Sequence, residues 1–139
     1  MDEKDRKIID LLSENSRMAY TKIAEEIGIS ETAVRKRISN LEDEGVIKNY
    51  TIDVDPSKLG YDVVSITGIN TEPENFLSIA EDVKRLKEVR DVKITSGDHT
   101  LMANIWAKSG EELSRIISEE IGEIEGVKKV FPAIILEEV

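Results

Sequence analysis

Two short apolar stripes separated by one glycine turn constrain this chain more than any other feature. Tyr20, Ile23, Ala24 and Ile27 recur at i, i+3, i+4 and i+7, and Gly28 stops the run. Two residues later Ser30 is suited to cap a new helix, with Val34, Ile38 and Leu41 as its buried stripe and Gly45 at its close. Helices this short need a partner to cover their apolar faces. A preceding stretch supplies one: Asp2 can open a helix carrying Ile8, Ile9, Leu11 and Leu12, and Glu14-Asn15-Ser16 ends it. Three helices, a tight Gly28-Ile29 turn and small Ala24 at the crossing describe a helix-turn-helix.

After Gly45 the apolar period changes to two. Tyr50, Ile52 and Val54 alternate with Thr51 and Asp53, which predicts a strand or a small hairpin that would serve as a wing. Asp55-Pro56-Ser57-Lys58-Leu59-Gly60 then breaks the pattern. The expected division is a winged helix-turn-helix over residues 1–54, a hinge over 55–60 and a second domain over 61–139.

That second domain alternates strand and helix signals. Strands are expected at 63–69, 92–95, 101–107 and 130–136. Between them lie one helix with Phe76, Ile79, Ala80, Val83 and Leu86 on a face and another with Leu113, Ile116, Ile117, Ile121 and Ile124 inward. The capping box Ser109-Gly110-Glu111-Glu112 opens the latter. The order is β-α-β-β-α-β, the ferredoxin-like plan, so the whole chain is of the α+β class. Pro132 inside the last strand requires an edge or a bulge.

Charge then selects among functions. The chain carries 19 cations against 29 anions, a formal net charge of −10, yet Arg35, Lys36 and Arg37 stand together in the third helix. With Val34, Ile38 and Leu41 inward, Thr32, Lys36 and Ser39 point directly outward and Arg35 and Arg37 flank them. An acidic body with one basic face repels DNA everywhere except at that face. Arg can fork onto guanine, Thr and Ser can reach base edges or phosphates, and the N–H groups after Ser30 offer an anion site. Lys22, near the start of the second helix, is placed to hold a phosphate.

Other chemistries lack their residues. There is no Cys, and His99 is the single His, so thiol redox work, disulfides and a His-based metal site are excluded and no cofactor is expected. Apolar runs such as Ile134-Ile135-Leu136 fall far short of the ~20 residues that span a bilayer. With so charged a start as Met1-Asp2-Glu3-Lys4-Asp5, the expectation is a cytoplasmic protein without a membrane partner. Met102, Asn104 and Trp106 share one side of an alternating strand with Thr100, a pattern of packing or subunit interface rather than of a cofactor box.

The stretches DEKDRKIIDLLSENSR and IAEEIGISETAVRKRISNLEDEGVIKNYTIDVDPSKLG, with SGDHTLMANI and the closing IILEEV, make the whole chain resemble the Lrp/AsnC (feast/famine) transcriptional regulators. The resemblance implies a DNA-binding regulator that dimerises through its ferredoxin-like domain, often as octamers, and binds an amino-acid effector between dimers. It places Thr32, Arg35, Lys36 and Arg37 on the recognition helix and Gly97-Asp98 on the effector loop. Many relatives read Gly-Asp-aromatic-Asp there, whereas this chain reads Gly97-Asp98-His99-Thr100 and lacks the second acid. Two alternatives stand beside the regulator: an AsnC-like enzyme of haem-precursor decarboxylation, and an architectural protein that packs DNA without sequence choice. Against the enzyme, the second domain gathers no titratable cluster beyond Asp98 and His99.

Overall fold

The computed structural model describes residues 1–139. The chain forms two compact units, Met1–Val54 and Asp55–Val139.

In the first unit α1 spans Glu3–Glu14, α2 Tyr20–Ile27 and α3 Glu31–Asp43. Each boundary has a local cause. Asp2 and Asp5 form a reciprocal capping box at the start of α1, and Ser30 accepts from the Ala33 N–H at the start of α3. Gly28, at φ 74°, turns left-handed after α2, a conformation that glycine adopts without a Cβ penalty. Ile8, Leu12, Ile23, Ala24, Val34, Ile38 and Leu41 close a core shared by all three helices.

The expected wing strand does not form. Residues 46–54 carry no strand, and Tyr50 and Ile52 are exposed despite their alternation. An extended segment becomes a strand only when an edge pairs with it, and an all-helical unit offers none. What holds the segment is a few bonds to the helical unit: the Val46 and Ile47 N–H groups donate to the Leu41 carbonyl, the Tyr50 hydroxyl to Glu42 Oε2 at 3.1 Å, and Ser16 Oγ to the Thr51 carbonyl at 3.1 Å.

The second unit opens with a single 3₁₀ turn at Pro56–Leu59, capped by Asp55 and closed by Gly60. Then follow β1 (Val63–Thr71), α4 (Phe76–Lys84), β2 (Val89–Ile94), β3 (Leu101–Ala107), α5 (Gly110–Arg115) and β4 (Val127–Ile134). The strands form one antiparallel sheet in the order β2-β3-β1-β4, so the fold is the expected α+β, ferredoxin-like βαββαβ unit. β4 is an edge strand, which resolves Pro132: its missing N–H leaves no inner ladder bond unmade.

Both helices lie on one face of this sheet. Ile69, Leu101, Ala103 and Ile105 point into a core with Ile79, Val83, Leu113, Ile116 and Ile121. The other face has no helix over it. Register places Val64, Ile66 and Gly68 of β1 beside Trp106, Asn104 and Met102 of β3, and Phe131 and Ala133 of β4 on the other side. Two details depart from the expected second helix. Glu112 bonds the Lys108 N–H rather than that of Ser109, and after Arg115 the helix widens to a π turn over Ile116–Ile121. Gly122 permits the widening, since a Cβ there would stand 2.8 Å from the Ile117 carbonyl oxygen. No helix is long and apolar enough to cross a membrane.

Candidate nucleic-acid and effector sites

The outward face of α3 carries Thr32, Arg35, Lys36 and Ser39, all exposed above the buried stripe. Arg35 is already engaged within the protein: its Nη2 donates to Glu31 Oε1 at 3.0 Å, and its guanidinium carbon lies 4.9 Å from the centre of the Tyr20 ring. Lys36 has no ion-pair partner and is free to meet a phosphate. Lys22, on α2, pairs with Glu26 at 3.2 Å, and that carboxylate raises its pKa.

Arg37 requires a correction. The three cations were expected to face solvent together, but Arg37 turns toward α1, where Nη1 donates to both Asp2 oxygens at 2.8 Å and to Asp5 Oδ1 at 2.9 Å. The acids of the α1 capping box lie beside α3 and capture it, so it ties the two helices together. Its pKa is raised accordingly, by the bond to Asp2 first and Asp5 second. Ser30 is also occupied, because its Oγ accepts from the Ala33 N–H at 3.1 Å. Of the three helices of this unit, the one whose start has no side-chain cap is α2, after Ala19.

Asp2 records the Arg37 tie. The Asp5 N–H, and then the Arg37 guanidinium, hold its carboxyl down from 3.8 to about 2. Because the folded value is the lower one, the contribution is complete above the ordinary value of 3.8 and disappears as pH falls toward about 2. An NMR titration should find Asp2 near that midpoint, and Arg37→Ala should move it only part of the way back, since the Asp5 N–H remains. A full return to the ordinary value, or no movement, would contradict this assignment.

Arg17 and Lys48 are exposed cations without an ion-pair partner that sequence reasoning passed over. They border one groove, between the end of α1 and the segment after Gly45. Arg17 lies in a turn and Lys48 in an irregular segment, where a helical wheel gives no direction.

The expected effector loop, Gly97–Thr100, lies in the connection from β2 to β3. Thr95 and the loop end are clamped by Thr95 N to Thr100 O (2.9 Å) and Thr95 Oγ1 to His99 O (2.8 Å). Gly97, at φ 115°, makes the reversal, and no heavy atom lies within 4 Å of where its Cβ would be. Asp98 is exposed at the tip. His99 is not a free surface residue: it lies half-buried across Gly68, with Nδ1 3.0 Å from Asn70 Oδ1 and its ring 4.8 Å from that of Phe131. Gly68 makes the seat, since a Cβ there would stand 2.5 Å from the imidazole. Thr100 is fixed by donating its N–H to the Ile69 carbonyl at 3.1 Å.

These four residues share an open cleft with Asn70, Thr71 and Lys128, which sequence reasoning did not name. Lys128 arrives through a register shift between β1 and β4, where Asn70 faces Lys129 and Thr71 faces Val127. A bulge of this kind re-aims a side chain. The cleft therefore holds a carboxylate, a cation, hydroxyls and an amide, a set that complements a zwitterion.

Known proteins match both units. A family model described as winged helix-turn-helix DNA-binding covers residues 1–48, and one described as Lrp/AsnC ligand binding domain covers residues 63–139. The chain is 54% identical over 137 residues to the HTH-type transcriptional regulator LrpA of Pyrococcus abyssi, a match spanning 99% of this chain and 97% of the relative. The solved structure of E. coli AsnC superposes with a TM-score of 0.87 at 27% identity, covering 99% of this chain and 93% of that one. LrpC of B. subtilis also gives a TM-score of 0.87, at 25% identity, covering 100% of this chain and 96% of that one.

Proposed function

Because the chain belongs to the Lrp/AsnC family of transcriptional regulators, we propose that it reads DNA sequence through Thr32, Arg35 and Ser39 and responds to an amino acid bound at the Gly97–Thr100 loop. It is a regulator and not an enzyme, which removes the haem-precursor decarboxylase alternative. One observation carries the reading of sequence: α3 presents an arginine, two hydroxyls and an unpaired lysine on one exposed face of an acidic protein. In this reading Lys36 and Lys22 hold phosphates, the latter exchanging Glu26 for DNA, while Arg37 and Ser30 keep α3 in place.

The effector reading rests on the cleft chemistry. Asp98 can receive an ammonium group, Lys128 a carboxylate, and Gly97 lets a ligand approach the backbone. The chain acts as a twofold dimer through the uncovered sheet face, so two copies of α3 meet a pseudo-palindromic site. Dimers can join further into an octamer, with the effector between them.

Selection of bound sequences from random DNA, with and without a panel of amino acids, tests both halves. Enrichment of one motif supports sequence reading, and no enrichment would return the protein to an architectural role. On the selected site, Arg35→Ala should cost ~1–3 kcal/mol, roughly 5- to 150-fold, and relax choice at one base position. Lys36→Ala should weaken all sequences alike and reduce the salt slope by about one. Loss of sequence choice from Lys36→Ala, with none from Arg35→Ala, would reverse the two roles.

A further inference from the structure

We infer that Tyr20 and Glu31 are specificity-determining residues that hold Arg35 in position to read a base and keep it off the phosphates. The inference rests on Arg35 as the reading residue. An arginine whose side chain is 64% exposed would ordinarily range over many rotamers, and ordering it on DNA costs affinity. Here two elements restrain it before DNA arrives. The Tyr20 ring, 4.9 Å from the guanidinium carbon, comes from the first residue of α2. That ring is half-buried and packed against the helical core, so its position is set from inside the fold.

Glu31 restrains the other side. It is the first residue of α3, directly after the Ser30 cap, and takes an Arg35 N–H at 3.0 Å across one helical turn. Of the five guanidinium donors it occupies one, leaving the rest for an acceptor pair. Its charge also offsets that of Arg35. A phosphate must compete with this carboxylate, whereas a guanine edge supplies two acceptors in the fork geometry and gains from a guanidinium already in place. Lys36, the next residue, has no such counter-ion, so the general attraction to phosphate falls to it. Tyr20 and Glu31 are positioning residues, and their effect is on the ratio of specific to random binding.

The test measures affinity for the selected site and for random duplex, at several salt concentrations, in the full chain. Tyr20→Phe keeps the ring and should match wild type, because the Tyr20 hydroxyl has no partner. Tyr20→Leu should lose about two- to fivefold on the selected site, the scale of an exposed cation–π contact, and nothing on random DNA. Glu31→Gln should strengthen binding to random DNA and steepen the salt slope, compressing the ratio. In an Arg35→Ala background Tyr20→Leu should be silent, and Glu31→Gln should no longer change the ratio of specific to random binding. Equal losses from Tyr20→Leu with and without Arg35 would show that it acts through packing and overturn the inference, as would an unchanged ratio in Glu31→Gln. If Arg35→Ala itself leaves sequence choice intact, the base-reading assignment is what has failed.

Discussion

Ile66→Lys is expected to convert the proposed dimer to monomers and to remove tight binding to a two-half-site operator, while the melting of the monomer changes little. Ile66 lies mid-strand on the uncovered sheet face and is 44% exposed in the single chain. Asn104 faces it on β3 and Ala133 on β4. Nearby, the rings of Tyr61 and Trp106 stand 5.8 Å apart, and Arg90 stacks on Trp106 at 4.0 Å. An apolar sheet face with aromatic residues and no helix over it has the composition of an interface core.

A lysine there costs the monomer little, because Ile66 is 44% exposed and the ammonium remains in water. In a twofold interface the same change buries two unpaired charges, each costing on the order of 3–5 kcal/mol. That is enough to weaken association by more than about a hundredfold. Light scattering with circular dichroism separates a lost interface from a lost fold. A dimeric Ile66→Lys protein would move the interface elsewhere, and an unfolded one would show that position 66 supports the domain itself. Loss of pairing should also change the DNA requirement. A dimer bridges half-sites about one helical turn, ~34–36 Å, or a multiple apart, and a monomer is indifferent to that spacing.

The parts of this molecule that were legible in the sequence are those whose causes are local. Asp2, Gly28 and Ser30 bound their helices through contacts within a few residues, and the stripes they frame became the core. The sheet was legible for a related reason: 101–107 alternates cleanly because β3 is a central strand with one face on the helices. What was not legible depends on residues far apart in the chain. Arg37 looked like a third reading cation until Asp2 and Asp5, 35 and 32 residues away, were found beside it. Lys128 entered the candidate effector cleft only through a register shift, and His99 left the surface because Gly68, on another strand, makes room for it. The segment after Gly45 shows the converse, since its alternation is real but pairing needs an edge that its own unit lacks.

Asp98→Ala should abolish the effect of any amino acid on assembly or operator affinity and leave ligand-free DNA binding unchanged. Asp98 is exposed at the tip of the β2–β3 loop and is the one acid of the cleft, where the ammonium of an amino acid would otherwise lose its counter-charge. The Gly97–Thr100 loop and α3 belong to different compact units, so removing the carboxylate leaves the proposed reading face intact. Coupling between two sites exists only to the extent that the ligand binds one state of the protein better than the other. Thr100→Asp adds a second acid to the cleft. It should create or tighten amino-acid binding, because the Thr100 backbone is already fixed on Ile69 and the new carboxylate would emerge from an ordered position. Lys128→Ala provides the opposite control, weakening ligands that carry a free carboxylate while sparing their amides. Calorimetry across the common amino acids and their amides, on wild type and these variants, decides the matter. Binding that follows Asp98 and Lys128 supports the zwitterion site. Binding that ignores both places the effector elsewhere, and no binding to wild type or to Thr100→Asp leaves a DNA-reading regulator without amino-acid input.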